Sequence, residues 1–425
     1  MHLNIPDITK DKALLISTSF VLCTAVSGFM WYNSIAILIF AGTCYLKIDF
    51  TIVWKKFSKS GFACTCLLYF LLHFIAGFFT EDKAAGFANV ESKLGFLFLP
   101  FLFIGILPFN EKLRHSILLI LSFFSATVFL YFLFFAFSKY GITGDISVFF
   151  YHQLVAPLQH HAVYLASYVS ICILYLYFYY INNGKAKPMI FILLVVLIVF
   201  MVLLSSKTIL VVLLLLFLFE GINNFLLNKQ QMSGIIITLI VSTFFLLIVF
   251  TNNPMKKRFK EVFTTDLSIV NKKQYTPDMY FNAVQFRLVA WKFSWQLLAE
   301  SNSYLLGIGP ANAQPALNKK YSDANMYVGK SADEPGGYLN FNAHNQFVQS
   351  FLQSGILGLL VLVSMLFFFI RTALLQKNKQ LLYASILICT FFFSESVLEG
   401  QYGIILFLFL PYLLHTTSKK QYTLS

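Results

Sequence analysis

The chain has 425 residues, of which 58% are hydrophobic and only 12% are charged. A soluble domain carries about a quarter charged residues, so this chain has too little polar surface to cover a globule in water. The composition therefore excludes an ordinary soluble protein and predicts an all-α, polytopic membrane protein. The net charge of +13 fits Lys and Arg gathering in cytoplasmic loops, and no nucleic-acid partner is predicted.

The apolar segments predict twelve membrane helices, because a spanning helix needs about 20 mostly apolar residues. The apolar run that follows Met1–Lys12 has no small-residue cleavage site, so we interpret it as the first membrane helix and not as a signal peptide. In chain order, the predicted helices cover residues 13–32, 34–52, 62–80, 93–108, 116–138, 160–181, 188–204, 207–226, 234–251, 345–370, 380–395 and 400–416.

The distribution of basic residues predicts the orientation of these helices. With the N-terminus in the cytoplasm, the predicted inside segments hold fifteen Lys or Arg and the short outside loops hold four. This bias follows the positive-inside rule and indicates that both termini are cytoplasmic. The predicted organisation is helices 1–9 over residues 1–250, a large extracytoplasmic (periplasmic) loop over 251–343, and helices 10–12 over 344–425.

The long loop is unusually basic for an outside segment. Residues 251–343 contain eleven Lys or Arg and seven Asp or Glu. This excess of positive charge indicates an anionic ligand at the membrane face. Apolar residues at helical spacing predict an amphipathic helix over residues 281–301, lying on the membrane or on the bundle. The stripe consists of Val284, Leu288, Trp291, Trp295 and Leu298.

The sequence contains no motif for a cofactor or a metal. All six cysteines fall inside or beside apolar segments, so we expect no disulfides, and the close pair Cys64 and Cys66 has no partner pair with which to form a metal site. No phosphate-binding loop, dinucleotide fingerprint or zinc-binding His pair is present. We therefore predict neither a cofactor nor a metal ion.

The junction between the long loop and the tenth helix carries the most informative histidine. His344 stands at the outer mouth of that helix, and Gly355 and Gly358 follow on the same predicted helical face. A neutral imidazole can accept a proton near neutral pH, and glycines allow a second helix or a lipid chain to approach closely. The alternative is that His344 and Asn345 are a capping pair above an ordinary packing face.

Three basic residues are candidates for binding a phosphate group. Arg287 shares a helical face with Trp291, and its guanidinium can bind phosphate as a fork. Lys207 lies at the predicted turn between two apolar helices, and Arg258 closely follows the ninth helix. Each has a simpler alternative: a solvated Arg287, a Lys207 that extends to the membrane surface, and an Arg258 among the lipid headgroups.

Further candidates are histidines and carboxylates at the outer ends of predicted helices. His160 and His161 are adjacent, so their side chains point about 100° apart and at most one of them faces a site. Glu395 and Glu399 are one turn apart at the end of the eleventh helix. Such carboxylates can orient an imidazole or bind an acceptor hydroxyl, or they can belong to an exposed helix end.

The pattern of His344 and Asn345, nine residues, Gly355, two residues and Gly358 resembles the signature of the O-antigen ligase family of bacterial membrane glycosyltransferases. This superfamily includes lipid A–core ligases, O-antigen polymerases and oligosaccharyltransferases that modify protein. Arg287 with Trp291, followed by the Gly307-x-Gly309 turn, is similar to a loop pattern of the same family. Lys207 departs from the family, whose members often have Ser-Arg at this place.

The resemblance implies a GT-C-like bundle that transfers a glycan from undecaprenyl diphosphate to an acceptor hydroxyl. The acceptor would be lipid A–core, a growing glycan or a protein, and the site would lie at the outer face of the bacterial inner membrane. In this hypothesis His344 is the base and the transfer inverts the anomeric centre without a metal. Arg287, Lys207 and Arg258 would bind the diphosphate, with Asn345, His161, Glu395 and Glu399 as further candidates.

A hypothesis from another class is a transporter or flippase for a lipid-linked sugar. Twelve helices suit that class as well. Transporters, however, usually contain repeated halves and ionisable residues at mid-membrane. The sequence has no clear internal repeat, and its candidate charges cluster at the predicted outer face.

Overall fold

The computed structural model describes residues 7–107, 109–181, 187–227, 256, 260–262, 264–329 and 337–415. Every regular element within these ranges is helical, and the chain is a multi-pass membrane protein, as the composition predicts. The predicted ninth helix at 234–251 and both termini lie outside the described residues.

The helices before residue 228 range in length from five to 33 residues. They are α1 Asp7–Ser27, α2 Met30–Tyr45, α3 Phe50–Phe57, α4 Gly61–Phe79, α5 Lys83–Ile106, α6 Glu111–Thr143, α7 Tyr151–Val155, α8 Ala162–Leu176, α9 Pro188–Leu203 and α10 Lys207–Leu227. A π-helical turn, Tyr177–Ile181, continues α8.

The helices after residue 264 form the candidate site and the end of the bundle. They are α11 Ala283–Glu300, α12 Pro310–Asp323, α13 Gln346–Leu375, α14 Lys379–Ser394 and α15 Gln401–Leu413. A short 3₁₀ turn, Val397–Glu399, lies between α14 and α15.

Among the described residues, five helices are long and apolar enough to cross a membrane. They are α4, α5, α6, α13, and α8 together with the turn that extends it. Four other helices are apolar but shorter, namely α2, α9, α14 and α15. The helix α6 has 33 residues, which corresponds to about 50 Å, and extends beyond the predicted span of 116–138.

Capping residues explain where several predicted boundaries are wrong. The helix predicted at 34–52 ends at Tyr45, and Asp49 then caps the short α3 by accepting a hydrogen bond from Thr51 N. The helix predicted at 93–108 begins ten residues earlier, because Asp82 caps α5 by accepting from Ala85 N. Hydropathy identifies the apolar part of a helix, whereas the caps set its ends.

The helix α15 lies at the centre of the bundle. It is buried from Gly403 to Leu413 and packs against α1, α5, α8 and α14. A helix that is apolar on all sides belongs in a core, and this one occupies it. The adjacent pair α4 and α5 approaches closely at Gly77 and Gly86, where a Cβ on Gly86 would lie 2.8 Å from Gly77 O.

The segment that contains α11 and α12 has its own apolar core. Val289, Phe293 and Leu317 are buried together in it, and Leu352 joins them from α13. Asn282 caps α11, so the predicted amphipathic helix is present, but its buried face differs from the predicted stripe. Trp295, a member of that stripe, is 59% exposed.

A break in α13 connects this segment to the bundle. Ser354 and Gly355 have non-helical dihedral angles, with φ of 62° at Gly355. The carbonyl oxygens of Leu352 and Gln353 accept hydrogen bonds from Ile308 N at 2.9 Å and Gly309 N at 3.1 Å. Beyond the break, Ile356 N donates to Tyr304 O at 2.9 Å. The segment 304–309 therefore satisfies the backbone groups that the break releases.

The break corrects the predicted role of Gly355 and Gly358 in this helix. Because α13 begins at Gln346 and is interrupted at Ser354 and Gly355, the two glycines do not share one continuous helical face with His344. Gly355 accommodates neither a helix nor a lipid chain but the loop backbone: a Cβ there would lie 2.3 Å from Leu305 C and O.

We expect Gly355→Ala to destabilise the protein, because its backbone, with φ of 62° and ψ of −158°, lies in a region that is essentially restricted to glycine and costs other residues about 1–3 kcal/mol. The loop backbone also blocks a Cβ at this position. Gly42→Ala is a matched control, since a Cβ at Gly42 meets nothing within 4 Å. Thermal unfolding in detergent should show a lower Tm for Gly355→Ala only. Equal Tm values for the two variants would contradict this account of the break.

Candidate functional site

The backbone around His344 is held in an unusual conformation. His344 has a φ of 45°, in the left-handed region that residues other than glycine rarely adopt. Its N–H donates to Asn342 Oδ1 at 2.9 Å. The imidazole packs edge-on between Phe286 and Phe341, with ring centroids 5.8 Å apart in both pairs. These contacts fix the direction of the ring.

The residues on either side of His344 are anchored. Asn345 caps α13, because its Oδ1 accepts from Phe347 N at 2.9 Å and from Val348 N at 3.1 Å. Its own N–H donates to Ser396 Oγ at 3.3 Å. On the other side, Trp291 Nε1 donates to Ala343 O at 2.8 Å. Asn345 and Trp291 are thus structural supports, and of the predicted capping pair only Asn345 is a cap.

The carboxylate of Glu395 joins His344 to Arg287. Its Oε2 accepts from His344 Nδ1 at 2.8 Å, and its Oε1 accepts from Arg287 Nη2 at 3.2 Å. Arg287 also donates from Nε and Nη2 to Ser394 O, at 3.2 and 2.8 Å. The Glu395 side chain is only 8% exposed, while those of His344 and Arg287 are 25% and 26% exposed. The carboxylate is thus more deeply buried than the two side chains to which it hydrogen bonds.

This arrangement keeps Glu395 ionised. Burial by itself raises the pKa of Glu395, but the hydrogen bond from His344 and the charges of His344 and Arg287 outweigh burial, so the pKa lies below its ordinary value. An ionised Glu395 accepts a hydrogen bond from the N–H of His344 Nδ1, which favours the tautomer whose Nε2 can accept a proton. Burial also lowers the pKa of the nearby His161, although Glu395 opposes this effect.

A cavity of about 1020 Å³ lies in front of these residues. His161, Arg287, His344 and Glu395 line one side of it. The lining also includes residues from the segments 277–281 and 337–341, which are rich in aromatic side chains. A concave site of this size, with a few polar groups converging on it, is typical of ligand-binding pockets.

The structure separates the paired candidates that are close in sequence. His161 is the residue before α8 and lines the cavity, whereas His160 is buried and its Nε2 hydrogen bonds to Ala25 O at 3.0 Å. The two side chains diverge, as their adjacency predicts. Glu399 does not line the cavity with Glu395. The prediction that they lie one helical turn apart is wrong, because α14 ends at Ser394 and the chain continues in an extended conformation.

The other two basic candidates are Lys207 and Arg258. Lys207 begins α10 and is absent from the described cavity lining. Arg258 lies outside the described residues. Of the three predicted phosphate ligands, only Arg287 borders the cavity within the part of the chain that the structure describes.

Several cavity residues carry no sequence signal that would have identified them. Tyr151 and His152 lie in the short α7, and Asp278 and Tyr280 lie in the loop before α11. Tyr280 is 82% exposed. None of them belongs to a motif with fixed spacing. No group of three or more His, Cys, Asp or Glu suited to a metal ion occurs among the residues described.

The comparison with protein families supports the interpretation of this region. Residues 158–363, just under half of the chain, match the family model described as O-antigen ligase. The range contains Arg287 and the complete pattern from His344 to Gly358. The resemblance predicted from the sequence is confirmed over that range. No curated protein matches the chain.

We expect Glu395→Gln to lower the stability of the protein at neutral pH by roughly 1–3 kcal/mol, because a charged acceptor is lost from two hydrogen bonds. The folded pKa of Glu395 lies below the ordinary value of 4.5. The stabilisation is therefore complete above that value and is lost as the pH falls through the folded pKa. The Tm of wild type should exceed that of Glu395→Gln at pH 7, and the difference should shrink as the pH falls below 4.5, the ordinary pKa of the group.

The control for this measurement is Glu300→Gln. Glu300 is 60% exposed and pairs with Lys320 on the surface, so its loss should cost well under 1 kcal/mol. A Tm difference between wild type and Glu395→Gln that stays constant down to the acid limit would show that the charge of Glu395 contributes no pH-dependent stability.

Proposed function

We propose that this protein is a glycosyltransferase of the O-antigen ligase type. It moves a glycan from undecaprenyl diphosphate to an acceptor hydroxyl at the outer face of the bacterial inner membrane, and lipid A–core is the acceptor that we favour. The observation that carries the proposal is the hydrogen-bonded pair of Glu395 and His344, which faces a cavity within a chain that resembles this family.

The proposed topology follows from the charge bias of the sequence. Residues 1–250 and 344–425 would supply twelve membrane helices in a GT-C-like bundle, with both termini in the cytoplasm. Residues 251–343 would form the periplasmic loop. The site at the start of α13 would then meet the donor at the outer membrane face, where the basic loop attracts its diphosphate.

His344 would act as the general base toward the acceptor hydroxyl. Glu395 holds Nδ1 of the imidazole by a 2.8 Å hydrogen bond, so the proton of the hydroxyl would go to Nε2. A carboxylate behind the ring stabilises the imidazolium that forms, as in other His–carboxylate pairs. The acceptor oxygen then attacks the anomeric carbon in one displacement, which inverts that centre and releases the lipid diphosphate.

Arg287 would neutralise charge that develops on the leaving diphosphate. Four of its five N–H donors are already occupied: Nε and Nη2 donate to Ser394 O, Nη2 also donates to Glu395 Oε1, and Nη1 donates to Ala283 O. It would therefore act as a fixed cation at the edge of the cavity more than as a free fork. Preorganised charges of this kind stabilise a transition state without reorganisation. Lys207 and Arg258 are retained as secondary candidates for the diphosphate.

The size and lining of the cavity are consistent with a glycan. Its volume of about 1020 Å³ accommodates more than one sugar ring, and ring faces such as that of Tyr280 offer apolar surface for stacking. The same chemistry would serve an O-antigen polymerase or a protein O-oligosaccharyltransferase, which differ in the acceptor.

Turnover by the purified protein tests the proposal. The protein should consume undecaprenyl diphosphate-linked glycan only when a hydroxyl acceptor is supplied, and the acceptor that supports turnover identifies the subclass. In a deletion strain, loss of capping on lipid A–core indicates a ligase, a single repeat unit a polymerase, and unglycosylated protein the third class. Translocation of the donor across vesicles without any transfer would contradict the proposal and favour a flippase.

We predict that His344→Ala lowers kcat by on the order of 10²–10⁴, the usual contribution of a general base. Donor binding should persist, because the diphosphate contacts remain. His344→Gln separates packing from proton transfer, since Gln fills the space between Phe286 and Phe341 but cannot accept the proton. Its kcat should be as low as that of His344→Ala. Wild-type turnover by either variant would refute the role of His344 as base.

We predict that Arg287→Ala slows transfer by ten- to a hundredfold, because a charge-assisted contact contributes roughly 1.5–3 kcal/mol. Arg287→Lys should recover only part of this loss, because Lys keeps the charge but cannot contact both Ser394 O and Glu395 as a fork. Lys320→Ala, at an exposed pair, is the control. Rates within about twofold of wild type for both Arg287 variants, a shift of about 0.4 kcal/mol, would contradict this role.

A further inference from the structure

A buried lysine lies outside the catalytic cavity, in the helix α5. The side chain of Lys93 is 1% exposed, within a helix that is long and apolar enough to span the membrane. Its ammonium group is 3.5 Å from Glu399 Oε1 and donates a hydrogen bond to Leu398 O. Burying a charge is costly even when it is paired, so ionisable residues in such helices are candidates for a functional role.

Both partners of Lys93 belong to one short connection, residues 395–399, which we call the strap. The strap joins α14 to α15 and has Glu395 at its first position and Glu399 at its last. Between them, Ser396 Oγ accepts from Asn345 N at 3.3 Å, and Leu398 N donates to Gln346 Oε1 at 2.6 Å. The strap therefore runs from the carboxylate that holds His344 to the carboxylate that pairs with Lys93.

The Glu399 end of the strap also contacts the break in α13. Glu399 Oε2 accepts from Gln353 Nε2 at 3.0 Å, and Gln353 O accepts from Gly309 N. A single ion pair thus connects α5, the strap, and the point where the segment containing α11 attaches to α13. The site consists of His344, Arg287 and Glu395. Arg287 lies on α11 and Glu395 lies on the strap, so two of these three residues lie on elements that are joined near this ion pair.

We propose that Lys93 is a positioning residue of the transfer reaction: paired with Glu399, it fixes the strap and so sets Glu395 against His344. The inference rests on the proposed function for its catalytic consequence. The strap consists of an extended residue and a 3₁₀ turn, so it has few backbone hydrogen bonds of its own. Side chains from neighbouring helices must therefore hold it, and Lys93 supplies the contact to Leu398 O.

Small displacements explain why this contact affects the rate more than binding. Without Lys93, Leu398 O loses its donor and the largely buried Glu399 retains an uncompensated charge. The strap would shift to reach solvent or another donor. A misplacement on the order of 1 Å costs about a hundredfold in rate, because the reacting groups lose their alignment. Apart from Glu395, the residues that line the cavity lie on segments other than the strap, so binding of the glycan should be little affected.

A second ion pair with a buried carboxylate provides a control, in which the lysine side chain is 48% exposed. Lys379 in α14 donates to Glu220 in α10 at 2.8 Å, and the Glu220 side chain is fully buried. Like Lys93, Lys379 neutralises a carboxylate between helices, but its described contacts are with Glu220 and not with the strap. Lys379→Met therefore removes a comparable charge without loosening the strap.

The experiment compares Lys93→Met, Glu399→Gln, the double variant and Lys379→Met in the full-length protein. Each kcat is divided by the folded fraction from size exclusion. We expect Lys93→Met to lower kcat at least about tenfold with a donor KM within about twofold of wild type. The double variant should recover at least half of the decrease in log kcat that Lys93→Met causes, because removing both charges leaves none uncompensated.

Glu399→Gln decides the matter if Lys93→Met does not fold. It preserves the shape of the side chain and the bond from Lys93 to Leu398 O, and we expect a loss of kcat of at least about threefold at unchanged KM. The proposal is overturned if the folded Lys93→Met, or Glu399→Gln in its place, has a kcat within about twofold of Lys379→Met. It is equally overturned if KM rises in step with the loss of kcat.

A chemical readout separates this proposal from the proposed function. Diethyl pyrocarbonate modifies imidazole nitrogens, and mass spectrometry reports the rate at His344 without any glycan transfer. Loosening the strap should speed modification of His344 at least about threefold in Lys93→Met, with no change in Lys379→Met. If wild type transfers no glycan, the proposed function fails while this rate still tests the strap. Equal rates in all variants would overturn the positioning role.

Discussion

The carboxylate of Glu395 has an exposed fraction of only 8% and meets two nitrogen donors, Nδ1 of His344 and Nη2 of Arg287. A buried carboxylate needs such partners to remain ionised, and each partner in turn takes its orientation from the carboxylate. The three residues come from α11, from the residue before the cap of α13, and from the strap after α14. The site therefore forms only when the segment that contains α11 is seated on the bundle.

The break at Ser354 and Gly355 secures that seating by backbone hydrogen bonding. An uninterrupted helix would leave no free carbonyl oxygens at Leu352 and Gln353, and the segment 304–309 would have no backbone partner in α13. The glycine without a Cβ permits this approach, since any side chain would overlap the backbone of Leu305. The spacing of Gly355 and Gly358 predicts close packing between membrane helices. In the structure, Gly355 instead allows the loop that carries Arg287 to attach to α13, the helix that follows His344.

The sequence predicts those features that depend on local composition and fails where distant contacts decide. Apolar runs identify most membrane helices, but caps such as Asp82 lie outside the apolar window and shift the ends. His344, Arg287 and Glu395 are identified as separate candidates because of their residue types. Their mutual contact is not predictable, since Arg287 and Glu395 are 108 residues apart. Glu399 is misassigned because the one-turn spacing assumes a helix that continues to Glu399, whereas the helix ends at Ser394.

The charge balance of the proposed site explains how one arginine, Arg287, can be sufficient to stabilise the leaving diphosphate although it is already paired with Glu395. With His344 neutral, as the proposed general base requires, the ionised Glu395 and the charged Arg287 sum to zero, so these three residues carry no net charge before transfer. When the imidazole takes the proton of the acceptor, the sum becomes positive by one unit. The leaving diphosphate gains negative charge in the same step. In the proposed mechanism, the site would therefore become cationic only as the transition state forms. This would give stronger differential binding of the transition state than a permanent cluster of cations provides.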